Sequence, residues 1–152
     1  MSELRDLYQE MILDHGKRPR NFGALDAANR RANGHNPLCG DKVTVALALD
    51  NGRVVDARFE GVGCAISVAA ASLMTEAVKG KTEAEVRAMF QKFHTGLTVA
   101  DAAAGAAALA KLDKLAIFSG VREFPVRVKC ATLPWHTLIA ALDRAEQPTK
   151  TE

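Results

Sequence analysis

Hydrophobic positions along the 152-residue chain recur with two periods, and the switches between them mark out the elements. Behind Ser2, the residues Leu4, Leu7, Tyr8, Met11 and Ile12 return every three or four positions. This spacing predicts an amphipathic helix to about His15, capped by Ser2 and ended by Gly16 and Pro19. Residues 20–36 are polar and glycine-containing, which predicts an irregular loop with one short edge strand near 30–33. At Lys42 the period becomes two. KVTVALALD, the turn Asp50-Asn51-Gly52 and RVVDARFEG together predict a β-hairpin.

Gly61-Val62-Gly63 breaks the return strand, and CAISVAAASLMTEAVKG follows with small or apolar residues at most positions. It predicts a largely buried helix with Cys64 in its first turn and Gly80 at its end. Thr82 and Glu85 have capping-box spacing and open a further helix through Val86, Met89, Phe90 and Phe93. The alanine-rich run VADAAAGAAALAKLDKL reads as small-residue helical packing with a break near Gly105. VRVKCATLPWHTLIAALDRA predicts a terminal helix despite Pro134, before a tail, EQPTKTE, expected to fray. The sum is one α+β domain over 1–146 with a flexible tail over 147–152. Its core is one antiparallel sheet of about three strands, covered on one face by helices.

Charge narrows the function classes. Lys plus Arg number 20 against 18 Asp plus Glu, so the net charge of +2 supplies no basic field for nucleic acid. No run has the apolar length of a membrane span or signal peptide, which points to the cytoplasm. In that reducing setting three cysteines, an odd number, argue for metal binding, catalysis or burial over a disulfide framework.

The stretch NPLCGDKV places Cys39 and Asp41 two residues apart at the mouth of a strand, where side chains at i and i+2 leave the same face. The hairpin returns Cys64 to that end, at a helix start that favours an anionic sulfur. With Cys130 from the last helix, three sulfurs and one carboxylate oxygen make a ligand set that zinc accepts tetrahedrally. The spacings contain no C-x-x-C pair, so the residues alone leave two readings open, a shared metal site or scattered core thiols. His35 lies near Cys39 in sequence, but nothing orients it. Trp135 reads as an interior or partner anchor, and Met11, Met74 and Met89 as packing.

Four motifs are more specific. LYQEMILDHGKRPRNFG (7–23), NPLCGD (36–41), DARFEGVGCAIS (56–67) and VRVKCATLPW (126–135) resemble, in order, those of the iron-sulfur assembly proteins of the IscU/SufU (NifU-N) family. Within it the chain is similar to the SufU branch. Lys129 stands before Cys130 where scaffold members usually have His, and a long segment, about 82–124, separates the second and third cysteine motifs. The Leu-Pro-Pro-Val-Lys motif with which scaffold members engage a chaperone is replaced by Glu123-Phe124-Pro125-Val126-Arg127.

The resemblance implies an IscU/SufU-like fold and a zinc-dependent sulfurtransferase. Such a protein takes persulfide sulfur from a SufS-type cysteine desulfurase and passes it toward a SufBCD-type assembly complex. It implies Cys39, Asp41, Cys64 and Cys130 as zinc ligands and Cys39 as the sulfur acceptor. Arg127, Lys129 and Lys42 would supply supporting charge. The alternatives are an IscU-like scaffold on which a [2Fe-2S] cluster is assembled and transferred, and a non-catalytic module whose zinc only stabilises the fold.

Overall fold

A computed structural model describes residues 2–38, 40–144 and 149–150. Helix α1 (Ser2–Lys17) leads by way of a loop to three antiparallel strands, β1 (Arg30–Asn36), β2 (Asp41–Asp50) and β3 (Arg53–Val62). Helices α2 (Ala65–Val78), α3 (Glu83–Thr98) and α4 (Ala102–Ala110) follow, then a 3-10 segment over Asp113–Glu123 and helix α5 (Pro125–Leu142). A two-residue strand, β4 (Thr149–Lys150), pairs parallel to β1 at Gly34 and His35, giving the sheet order β3-β2-β1-β4. No helix among the described residues is long and apolar enough to cross a membrane.

The hairpin forms as its sequence predicts. Asn51 and Gly52 both take positive φ, 53° and 76°, the backbone that joins two strands through a two-residue turn without splaying them. Alternation then sorts the side chains of β2. Val43, Val45 and Leu47 face the main core with Ala57 and Phe59 of β3, against α2 and α5. Ala46 and Ala48 face the other way, where Leu25 and Ala28 of the loop after α1 cover them. The helix layer brings Leu73 and Met74 of α2 and Leu133, Trp135 and Leu138 of α5 into the same core, with Phe93 of α3 stacked on Trp135 at 5.3 Å. Trp135 is thus an interior residue.

Several boundaries differ from the sequence reading. Strand β1 runs seven residues, through Asn36, because its pairing with β2 continues from Arg30↔Leu47 to Asn36↔Asp41. Its polar sequence hid this, since only Ala32, Gly34 and Asn36 turn to the core. Helix α4 does not break at Gly105. That glycine sits inside the helix because a Cβ there would stand 2.7 Å from the carbonyl oxygen of Gly96 and would collide with the Arg122 guanidinium. Helix α1 continues through Gly16 to Lys17, and the capping side chain expected at Ser2 lies outside the described residues. Of the tail expected to fray, Thr149 and Lys150 form β4, and the rest lies outside the described residues.

Candidate metal centre

Three elements end at one place. Asp41 is the first residue of β2, Cys64 is the residue that caps α2 directly after β3, and Cys130 lies in the second turn of α5. One carboxylate oxygen of Asp41 and the two Sγ atoms lie within 4.8 Å of one another. A tetrahedral zinc with sulfur ligands at about 2.3 Å holds its ligand atoms roughly 3.8 Å apart, so the cluster is close to the size of such a shell. Donor chemistry fits too, because two soft sulfurs with one carboxylate oxygen are a set that zinc accepts.

Each of the three is held by the fold. The Asp41 Oδ1 accepts the backbone N–H of Cys64 at 3.0 Å, and its Oδ2 stands 3.9 Å from the Cys64 Sγ. That sulfur also accepts the backbone N–H of Ser67 at 3.5 Å, so a thiol takes the place of the usual hydroxyl or carboxylate cap. The 14-residue α2 thereby directs its positive end at both the sulfur and the carboxylate. Asp41 and Cys130 are fully buried, and Cys64 is half-buried. Neither described cysteine is in a disulfide.

Gly63 makes the close approach of the carboxylate possible. A Cβ at that position would stand 2.6 Å from Asp41 Oδ1 and 3.1 Å from its Cγ. Sequence reasoning assigned Gly63 to the break after the strand and to a docking loop, not to contact with Asp41. The contact spans more than twenty residues, and no local signal announces it.

The remaining expected residues divide. Cys39, the expected acceptor and ligand, lies outside the described residues. Arg127 is exposed and precedes Cys130 by three residues on α5, on the same side of that helix, and Lys129 is half-buried beside it. Lys42 is not brought to the centre. It pairs with His35 across the sheet, and the two-residue period that turns Asp41 and Val43 inward turns Lys42 and His35 to the outer face, beside Asn33, Thr44 and Glu60. His35 is thereby also removed as a ligand.

Two further features flank these residues. Asn36, the β1 partner of Asp41, is buried, and its Nδ2 has no hydrogen-bond partner among the described residues. Around the centre, Leu38, Val62, Phe124 and Val126 are more than half exposed. Each lies at or near the end of an element and within a few residues of a site position. Leu38 and Val62 fall in segments whose sequence suggests a docking surface, and the apolar character of Phe124 and Val126 at the start of α5 is the signal that would have added them.

The family model of the NifU-like N-terminal domain matches residues 7–131. The chain is 38% identical over 148 residues to the zinc-dependent sulfurtransferase SufU of Bacillus subtilis (strain 168), covering 95% of both chains. It is 35% identical over 145 residues to the iron-sulfur cluster assembly scaffold protein IscU of Streptococcus pyogenes serotype M1, covering 95% of this chain and 88% of that one. Among solved structures, a NifU-like protein (N-terminal) from Brucella abortus superposes with a TM-score of 0.78 at 26% identity, over 93% of this chain and 95% of the other.

Proposed function

The chain belongs to the NifU-like N-terminal domain family of iron-sulfur cluster assembly proteins, and from that premise we propose that it is a zinc-dependent sulfurtransferase. It takes persulfide sulfur from a SufS-type cysteine desulfurase in the cytoplasm and delivers it to a SufBCD-type assembly complex. The observation that carries this reading is the convergence of Asp41, Cys64 and Cys130 to within 4.8 Å, with Asp41 only two residues after Cys39 in the chain. Asp41, Cys64, Cys130 and Cys39 would hold the metal. Bound zinc would keep the thiols deprotonated at neutral pH and damp their reactivity until a partner docks.

The chain's own residues account for the rest of the chemistry. The Cys39 thiolate attacks the outer sulfur of the desulfurase persulfide. A bond forms between Cys39 Sγ and that sulfur, the sulfur-sulfur bond of the donor breaks, and the desulfurase cysteine leaves as a thiolate. Asp41, fixed by the Cys64 N–H, and Cys64, fixed by the Ser67 N–H, stay in place while this occurs. Arg127 and Lys129 on α5 offset the accumulated negative charge. Leu38, Val62, Phe124 and Val126 form an apolar rim that a docked desulfurase covers, which excludes water from the transfer.

Relatives named as scaffolds motivate a second reading, in which the same thiolates hold a [2Fe-2S] cluster under construction. Metal and labile-sulfide analysis of protein purified without oxygen separates the two. About one zinc per chain without sulfide supports the sulfur acceptor, and iron with equal sulfide supports the scaffold. In a desulfurase assay the zinc protein should accelerate turnover, and Cys39→Ser should abolish the acceleration in a protein that still folds. No acceleration by the unaltered chain would leave zinc a purely structural role.

A further inference from the structure

Among the described residues, the amide nitrogen of Asn36 is a buried polar group beside Asp41 that has no partner. Asn36 is 1% exposed, and its Oδ1 accepts the backbone N–H of Leu38 at 3.0 Å. Its backbone carbonyl accepts the N–H of Gly40 at 2.9 Å, so both of its oxygens shape the turn that carries Cys39. Its Nδ2 has no partner among the described residues. Exchanging the amide oxygen and nitrogen does not relieve this, because the NH2 group would then face the Leu38 N–H, donor against donor. A buried donor left unpaired is a standing cost, and natural folds retain such a group where another species satisfies it.

Position indicates what that species is. Asn36 and Asp41 are paired across β1 and β2, so their side chains leave the same face of the sheet. On that face Gly34 abuts Leu133 and Thr137 of α5. Two residues further along β1, Asn36 stands opposite Asp41, whose carboxylate lies within 4.8 Å of the Cys130 sulfur of that helix. No described oxygen or sulfur accepts from Nδ2, and its cross-strand partner Asp41 clusters with the Cys64 and Cys130 sulfurs, so the acceptors that metal loading would draw together on this face are sulfurs. We infer that Asn36 is a positioning residue whose Nδ2–H donates to a sulfur ligand of the metal-loaded centre, tuning its charge and nucleophilicity while the Oδ1 of the same side chain holds the Cys39 turn. The inference rests on the metal centre proposed above, and the test separates the two.

Full-length protein labelled with nitrogen-15 and loaded with cadmium-113 should show the Asn36 side-chain amide protons moved downfield, slowed in solvent exchange and scalar-coupled to the metal through the sulfur. Asn36→Ser keeps a short oxygen acceptor for the Leu38 N–H but lacks the amide donor. In it, zinc retention against a competing chelator should fall roughly 10-fold, the size typical of a lost outer-shell partner. The thiolate-to-metal bands of the cobalt form should move to lower energy, because an unbonded sulfur is the better electron donor. A residue that only shaped the turn would lower the melting temperature and leave the band energy in place. Failure of the unaltered protein to bind zinc or cobalt through thiolate overturns the centre and the inference with it. Metal bound normally, with the Asn36 amide unmoved and uncoupled, overturns the inference alone, and this readout needs no variant to fold.

Discussion

At the scale of single residues, the site depends on what glycine leaves out. Asp41 and Cys64 occupy different elements, and the carboxylate reaches the Cys64 N–H only because Gly63 presents no side chain to it. In Gly63→Ala the new methyl meets Asp41 Oδ1 at 2.6 Å, so the carboxylate must turn away. The expected result is zinc retention weakened about 10-fold, as for a disturbed outer-shell contact, with a stability loss of about 1–3 kcal/mol from overpacking. Chelator competition and denaturant unfolding measure the two effects separately. Unchanged zinc retention would show that the carboxylate is not a ligand. Asp41 was legible as a candidate because it follows Cys39 by two residues at the mouth of a strand, a spacing that suggests a shared face. By the same rule Lys42 should have been excluded, since adjacent strand residues point to opposite faces.

At the scale of elements, local chemistry explains the starts of helices better than their interiors. The capping box forms as its spacing predicts. The Thr82 hydroxyl accepts the Glu85 N–H at 3.2 Å, and the Glu85 carboxylate accepts the Thr82 N–H at 2.9 Å, a bond that also holds the Glu85 carboxyl below its usual pKa. Thr82→Ala should cost about 1 kcal/mol, read as a lower denaturation midpoint with an unchanged denaturant slope and unchanged metal binding. A loss below about 0.3 kcal/mol would mean that tertiary packing of α3 has replaced the cap. Gly105 marks the limit of such reasoning. An isolated glycine lowers helix propensity by about 1 kcal/mol, which favours a break. Here α4 passes so near Gly96 of α3 that only hydrogen fits, while Arg122 donates to the carbonyls of Gly96 and Val99 at the end of α3. Close packing outweighs propensity.

At the scale of the whole molecule, two histidines join layers of the fold. His15 of α1 shares a 2.7 Å hydrogen bond with Ser72 of α2, and His136 of α5 contacts His94 and Phe90 of α3. Burial, above all, lowers the pKa of each from 6.5, with the neighbouring Arg20 adding to the effect at His15 and His94 at His136. The folded state therefore favours the neutral rings and the unfolded state binds more protons, so their contribution is present above about pH 6.5 and lost as pH falls. Melting temperature at saturating zinc should drop from pH 7.5 to 5.5, and a His15→Gln, His136→Gln double variant should show a smaller drop. An equal drop in both proteins would assign the dependence to other groups. By itself the sequence determined the hairpin, the helix caps, the apolar stripes and the residues able to bind a soft metal, because each depends on neighbours a few positions away. Only the tertiary structure decided that β1 extends to Asn36, that α4 runs through Gly105, that Lys42 and His35 face away from Asp41, that Gly63 leaves room for the Asp41 carboxylate, and that the Asn36 amide is buried opposite it. Those outcomes depend on distances between residues far apart in the chain, which pairing register and close packing set and which no local pattern encodes.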